Sequence, residues 1–154
     1  MEVIVDMDSH EIQLPEHHQE ILDCFIAACQ ADERILAAFL GGSYANGSAD
    51  EFSDLDLFFI TTDEAYEEFL TEREAFIRRL GEPLFLDDFG VAHGFRVIFS
   101  NGTEGDLWFG RESKFKDIYA GHYRVLLDKK EILAGEAFPN HVADQDAQIE
   151  ILRQ

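Results

Sequence analysis

The chain is 154 residues long, with 32 Asp and Glu against 12 Lys and Arg, a formal net charge of −20, and 46 % hydrophobic residues. That length suits one domain, or one domain with a short appendage, with enough core to need no staples, and the apolar content argues against global disorder. The charge argues against nonspecific nucleic-acid binding and against an anionic membrane surface, both of which need basic side chains; a phosphorylated ligand would have to meet local positive charge or a metal ion.

Met1-Glu2-Val3-Ile4-Val5-Asp6 lacks the basic start of a signal peptide, and no run approaches the ~20 apolar residues of a membrane span, so a cytoplasmic protein is expected. Residues 1–14 read as an N-terminal arm, frayed or a short edge strand. Pro15 opens a helix whose Ile21, Leu22, Phe25, Ile26 and Cys29 recur at helical spacing, ended by Asp32-Glu33. Cys24 and Cys29 lie in it, off one face and off any metal spacing, and read as reduced thiols with at least one in a core. His17-His18 fall on its polar side and read as solvated.

Ile35 to Leu40 is a buried strand entering a glycine turn, residues 41–53 read as a loop, and Asp54 to Ile60 reads as a second strand. Thr61 and Glu64 match a capping box for a helix with Tyr66, Phe69, Leu70, Phe76, Ile77 and Leu80 in its stripe, stopped by Gly81 and Pro83. The period then changes to two. Pro83 to Phe89 reads as a strand. His93 to Ser100 follows, with Phe95, Val97 and Phe99 on one face, then the hairpin signal Asn101-Gly102 and the returning Thr103 to Phe109. Arg111 to Tyr119 reads as a short helix, Tyr123 to Leu127 as a last strand, and Ala143 to Arg153 as a helical stub. The fold class expected is α/β (α+β), a short mixed sheet with helices packed on it.

The chemistry is expected at Gly41-Gly42-Ser43, Asp54-Leu55-Asp56 and Asp106. Asp54 and Asp56 are two apart in an extended segment, so both carboxylates face one side while Leu55 and Leu57 face a core. Two like charges on one face call for a cation, and a divalent metal such as Mg²⁺ takes such hard oxygens. Asp106 points away from Leu107 and Phe109, so it completes a set of three if its strand lies beside the Asp54–Ile60 strand. Three carboxylates can hold two Mg²⁺ ions with a triphosphate. The Gly41-Gly42 turn lets the backbone approach closely, and its N–H groups with the Ser43 hydroxyl can hold phosphate oxygens.

Other patterns fit less well. Ser48 stands where a P-loop needs its Lys. Phe58 occupies the third ligand position of an EF-hand. The Asp-x-Asp of sugar-nucleotide transferases ends an apolar strand, whereas here the apolar run follows the pair. Tyr44 can stack on a base or cover the core. Arg111, Lys114 and Lys129 follow the third Asp; salt bridges suit all three, and Lys129 is taken as the cation for the nucleotide.

The run Gly41-Gly42-Ser43-Tyr44-Ala45-Asn46-Gly47-Ser48-Ala49-Asp50-Glu51-Phe52-Ser53-Asp54-Leu55-Asp56-Leu57, with Gly105-Asp106-Leu107 after it, resembles the signature of the polymerase-β-type nucleotidyltransferases. Within them it is most similar to the small aminoglycoside and lincosamide adenylyltransferases. Val125-Leu126-Leu127-Asp128-Lys129 resembles a run that follows the third Asp in such proteins. The resemblance covers residues 15–135, taken as the nucleotidyltransferase domain, with 136–154 as a C-terminal tail. It implies metal ligation by Asp54, Asp56 and Asp106, a general-base role for Asp106 in some members, and β/γ-phosphate contacts from Gly42 and Ser43.

The implied reaction is in-line attack of a small molecule's hydroxyl on the α-phosphorus of ATP or another NTP, with the acceptor cationic in the aminoglycoside case. Such enzymes usually continue into a helical domain that helps to hold the acceptor. Here the expectation is an excised domain, a cleft completed by a homodimer or a helical protein partner, or membership of a smaller branch. The alternative is a minimal, antitoxin-like module that binds or adenylylates a protein partner.

Overall fold

The computed structural model describes residues 14–47, 49–50, 53–88, 94–115 and 123–133. The expected N-terminal arm and C-terminal stub lie outside these residues, as do His93, His122 and Phe89. Helix α1 (Glu16–Ala31) leads into strand β1 (Ile35–Gly41), the short helix α2 (Gly42–Asn46) and strand β2 (Leu55–Thr61). Helix α3 (Asp63–Arg78) follows, then β3 (Pro83–Asp87), β4 (Gly94–Phe99), β5 (Glu104–Arg111) and β6 (Arg124–Asp128). The six strands form one sheet in the order β3-β4-β5-β2-β1-β6. β2 and β5 are parallel and the other neighbours antiparallel, so the sheet is mixed.

Alternation along the strands gives the sheet two unlike faces. Leu55, Leu57 and Phe59, with Leu107, Phe109, Phe95, Val97 and Phe99, join the apolar stripes of α1 and α3 in one large core. Phe59 is its hub, with ring centroids 4.9 Å from Phe76, 5.2 Å from Phe109 and 5.5 Å from Phe69. Phe59→Ala would cost about 3–5 kcal/mol. The opposite face carries a smaller core of Ala37, Phe39, Phe58, Ile60, Phe115 and Leu133. Among the described residues, no helix is long and apolar enough to cross a membrane.

Several local expectations shift. The glycine-rich segment forms α2 at once rather than an open loop. The cap of α3 is Thr62, whose hydroxyl accepts from the Ala65 N–H at 3.2 Å. Thr61 is unavailable because it is the buried last residue of β2, paired with Ile35. Residues 112–114 form a turn and residue 115 is 3-10 helical, and the rest of the expected Arg111 to Tyr119 helix lies outside the described residues. Strand β5 runs on to Arg111, and the Asp63 carboxylate accepts from Arg111 and from the Ser113 N–H. Cys29 is buried and Cys24 partly so, and both are free thiols.

Candidate active site

Strand register assembles the site. Asp56 lies opposite Asp106 across β2 and β5, Asp106 lies opposite Arg96 across β5 and β4, and Gly41 of β1 lies opposite Asp56 on the other side. Arg96, Asp106, Asp56 and Gly41 thus form a line across four strands on the face away from the helices. Asp54, just before β2, reaches the same place. Arg96 Nε donates to Asp106 Oδ1 at 2.9 Å, and its Nη2 donates to Asp54 Oδ2 at 3.0 Å and Asp106 Oδ2 at 3.3 Å. Beside this line stand Trp108 and Phe58, in register with each other, and Phe58 stacks on Phe39 with centroids 4.9 Å apart. The acids therefore sit at the rim of an apolar floor.

The charges are crowded. The Asp56 carboxyl is pushed up to about 7, first by burial and then by the charges of Asp106 and Asp54, with Arg96 opposing. Arg96 is held more firmly protonated than usual, chiefly by its hydrogen bonds to Asp106.

Gly42 starts α2 with φ +64, in the left-handed region, and a Cβ there would overlap the Asp56 carboxylate. Glycine is required on both counts. Ser43 follows in the same turn. Tyr44 is buried, and its hydroxyl lies 2.7 Å from His18 Nδ1 on α1. This settles Tyr44 as a core residue that ties the glycine turn to α1, not as a base-stacking loop aromatic. It also corrects the reading of His18 as solvated: the residue is 4 % exposed, and burial, aided by His17, pulls its proton affinity down while Asp54 opposes.

The structure brings Asp54, Asp56, Asp106, Gly42 and Ser43 to one end of the sheet, but not Lys129. The Lys129 N–H pairs with the Leu36 carbonyl, five residues before Gly41 on β1 and so about 16 Å away along the strand. Its Nζ donates to the carbonyls of Cys29 and Asp32, at 2.9 Å each. The charge thus caps the carbonyl end of α1, where a cation is favoured by the unpaired acceptors and the helix dipole. Arg111 pairs with Asp63, as a salt bridge.

Arg96 is the residue that sequence reasoning missed. Its signal was the alternation that puts Phe95, Val97 and Phe99 on the core face, which sends Arg96 to the side of Asp106.

Among the described residues, no group of three or more His, Cys, Asp or Glu side chains is spread as a ready-made metal cage. The donor set nevertheless fits a divalent metal. Three carboxylates converge, and two of them already hold a cation, the Arg96 guanidinium. With the Gly42 backbone beside Asp56, the arrangement can bind a cation and admit an anionic group at the same point.

The streptomycin adenylyltransferase family profile matches residues 16–150. The chain is 30 % identical over 134 residues to an aminoglycoside 6-adenylyltransferase of Bacillus subtilis (strain 168), across 79 % of this chain and 47 % of that protein. The crystal structure of an aminoglycoside 6-adenyltransferase from Bacillus subtilis shares the fold, with a TM-score of 0.50 at 22 % identity over 71 % of this chain and 40 % of that one. The chain spans about half the length of the curated relative it matches.

Proposed function

The chain belongs to the streptomycin adenylyltransferase family, and from that premise we propose that it moves a nucleoside monophosphate, AMP from ATP, to a hydroxyl of a small molecule such as an aminoglycoside or lincosamide. The observation that carries this reading is the convergence of Asp54, Asp56 and Asp106 beside the glycine turn at Gly42. In this reading residues 15–135 form the nucleotidyltransferase domain, the reaction runs in the cytoplasm, and a second copy or a helical partner closes the acceptor side.

The three carboxylates would hold Mg²⁺, two ions in the full site. Bound there, the metal supplies charge neutralisation of the triphosphate and a more acidic acceptor hydroxyl. The rest falls to the chain. Gly42 leaves the backbone bare for the β/γ-phosphates, and the Ser43 hydroxyl donates to their oxygens. The His18–Tyr44 contact keeps that turn in place, so that catalysis is positioning more than covalent chemistry. The acceptor oxygen bonds the α-phosphorus as the bond to pyrophosphate breaks, and the hydroxyl proton passes to a site carboxylate. The acidic surface raises the local concentration of a cationic acceptor.

The test is incubation with α-labelled ATP, Mg²⁺ and a panel of aminoglycosides and lincosamides. Label is expected on one acceptor, and it should vanish with Asp54→Ala and with Asp56→Ala. Transfer that survives both substitutions would remove this site. No transfer, together with no Mg²⁺-dependent nucleotide binding, would favour the antitoxin-like module.

A further inference from the structure

We propose that Arg96 is the resident counter-ion of the acid site and competes with divalent metal for Asp54 and Asp106. This rests on reading the three acids as metal ligands. The guanidinium uses Nε on Asp106 and Nη2 on both Asp106 and Asp54, so one rigid fork clamps two carboxylates. Strand register explains the contact with Asp106 and the lack of one with Asp56, while Asp54 comes within reach from the segment just before β2. Asp106 is its direct cross-strand partner, and Asp56 lies one strand further along the same line, with Asp106 between them.

One guanidinium therefore answers three carboxyl groups, and the Asp56 carboxyl is left in the most crowded position. A divalent ion can draw oxygens from all three acids, but it needs the oxygens of Asp54 and Asp106 that the arginine occupies. The two cations exchange. Arg96 keeps the acids from repelling one another while the metal is away, and it raises the metal concentration at which the site fills. The Arg96 and Asp54 side chains are 36 % and 30 % exposed, so the clamp is open to solvent and can be released without unfolding β4.

The experiment measures Mn²⁺ affinity by electron paramagnetic resonance, without nucleotide, for the wild type, Arg96→Gln and Arg96→Lys. Arg96→Gln is expected to bind Mn²⁺ about three- to tenfold more tightly, the scale of a partly exposed ion pair, with Arg96→Lys nearer the wild type. In the unmutated protein, the Arg96 Nε–H resonance should shift as Mg²⁺ saturates the site. This second measurement needs no variant to fold.

Equal or weaker Mn²⁺ binding by a folded Arg96→Gln, or an Nε–H signal that stays still at saturating Mg²⁺, would overturn the exchange alone. Absence of Mn²⁺ binding in all three proteins would overturn the metal reading and the exchange with it. Asp56→Asn separates the two ideas further. It should weaken Mn²⁺ binding yet leave the metal-free Nε–H signal in place, because the arginine's bonds go to Asp54 and Asp106.

Discussion

Asp56 and Asp106 occupy the same register position on two parallel strands, β2 and β5, so their carboxylates share one face of the sheet with Asp54 beside them. Burial and these two neighbours push the Asp56 carboxyl up to about 7, against ~3.9 for an ordinary Asp. The folded chain then holds this proton more tightly than the unfolded chain does. The stability it contributes is complete below about pH 4 and is lost as the pH rises towards 7. Asp56→Asn should therefore raise the Tm of the metal-free protein at pH 8 by about 2–4 °C, on the order of 1 kcal/mol, with no gain at pH 4. Calorimetry in EDTA checks this, and an unchanged or lower Tm at pH 8 would contradict the crowding.

Gly42 and Gly47 both have positive φ, at +64 and +82, but only Gly42 is hemmed in. Gly47→Ala meets open space and should cost about 1 kcal/mol of backbone strain. Gly42→Ala adds an overlap with the Asp56 carboxylate and should cost about 3 kcal/mol or more, with loss of nucleotide binding. Urea unfolding of the pair, alongside nucleotide titration, measures the difference. Equal effects would show that the close approach to Asp56 is unimportant.

The His18–Tyr44 contact joins α1 to the turn that carries Gly42 and Ser43. Tyr44→Phe should lower stability by about 1–2 kcal/mol, as expected for a buried hydrogen bond that loses one partner. His18 has a lowered proton affinity, mainly through burial. Its contribution is present above the ordinary histidine value of ~6.5 and is lost as the pH falls through the folded value. His18→Gln should flatten the acid limb of a stability–pH curve. A limb as steep as the wild type's would assign the acid sensitivity elsewhere.

Lys129 offers a test of structural against substrate roles. Lys129→Met removes both bonds to the carbonyl end of α1 and should destabilise the fold by about 1–2 kcal/mol. Nucleotide affinity should stay within twofold. A loss on the order of tenfold in affinity at unchanged stability would return Lys129 to the phosphates.

Alternation and punctuation made most of the architecture legible before any coordinates. Leu55, Leu57 and Phe59 alternate with Asp56 and Phe58, and that period alone separates the core face from the acid face. The same logic placed Asp106 away from Leu107. It could not decide which cation stands opposite Asp106, because hairpin register depends on loop length. With Asn101-Gly102 as a two-residue loop, Ser100 would face Thr103 and Arg96 would face Leu107. Instead Phe99 pairs with Thr103, Gly102 alone takes positive φ at +95, and the loop gains Ser100. That one residue moves Arg96 opposite Asp106, the slip to which a period of two is most sensitive.

The sequence by itself determined most of the strands and helices, the shared face of Asp54 and Asp56 and the glycine turn before them, because strand period, turn chemistry and an Asp-x-Asp spacing are local properties. Tertiary structure alone decided the parallel pairing of β2 with β5, which brings Asp106 to Asp56 from fifty residues away. It also decided that His18 is buried on Tyr44, that Lys129 caps α1 and that Arg96 enters the acid site. A side chain's charge is written in the sequence, but its partner is set by which strands and helices pack together. In so acidic a chain, that packing decides where each of the few cations is used.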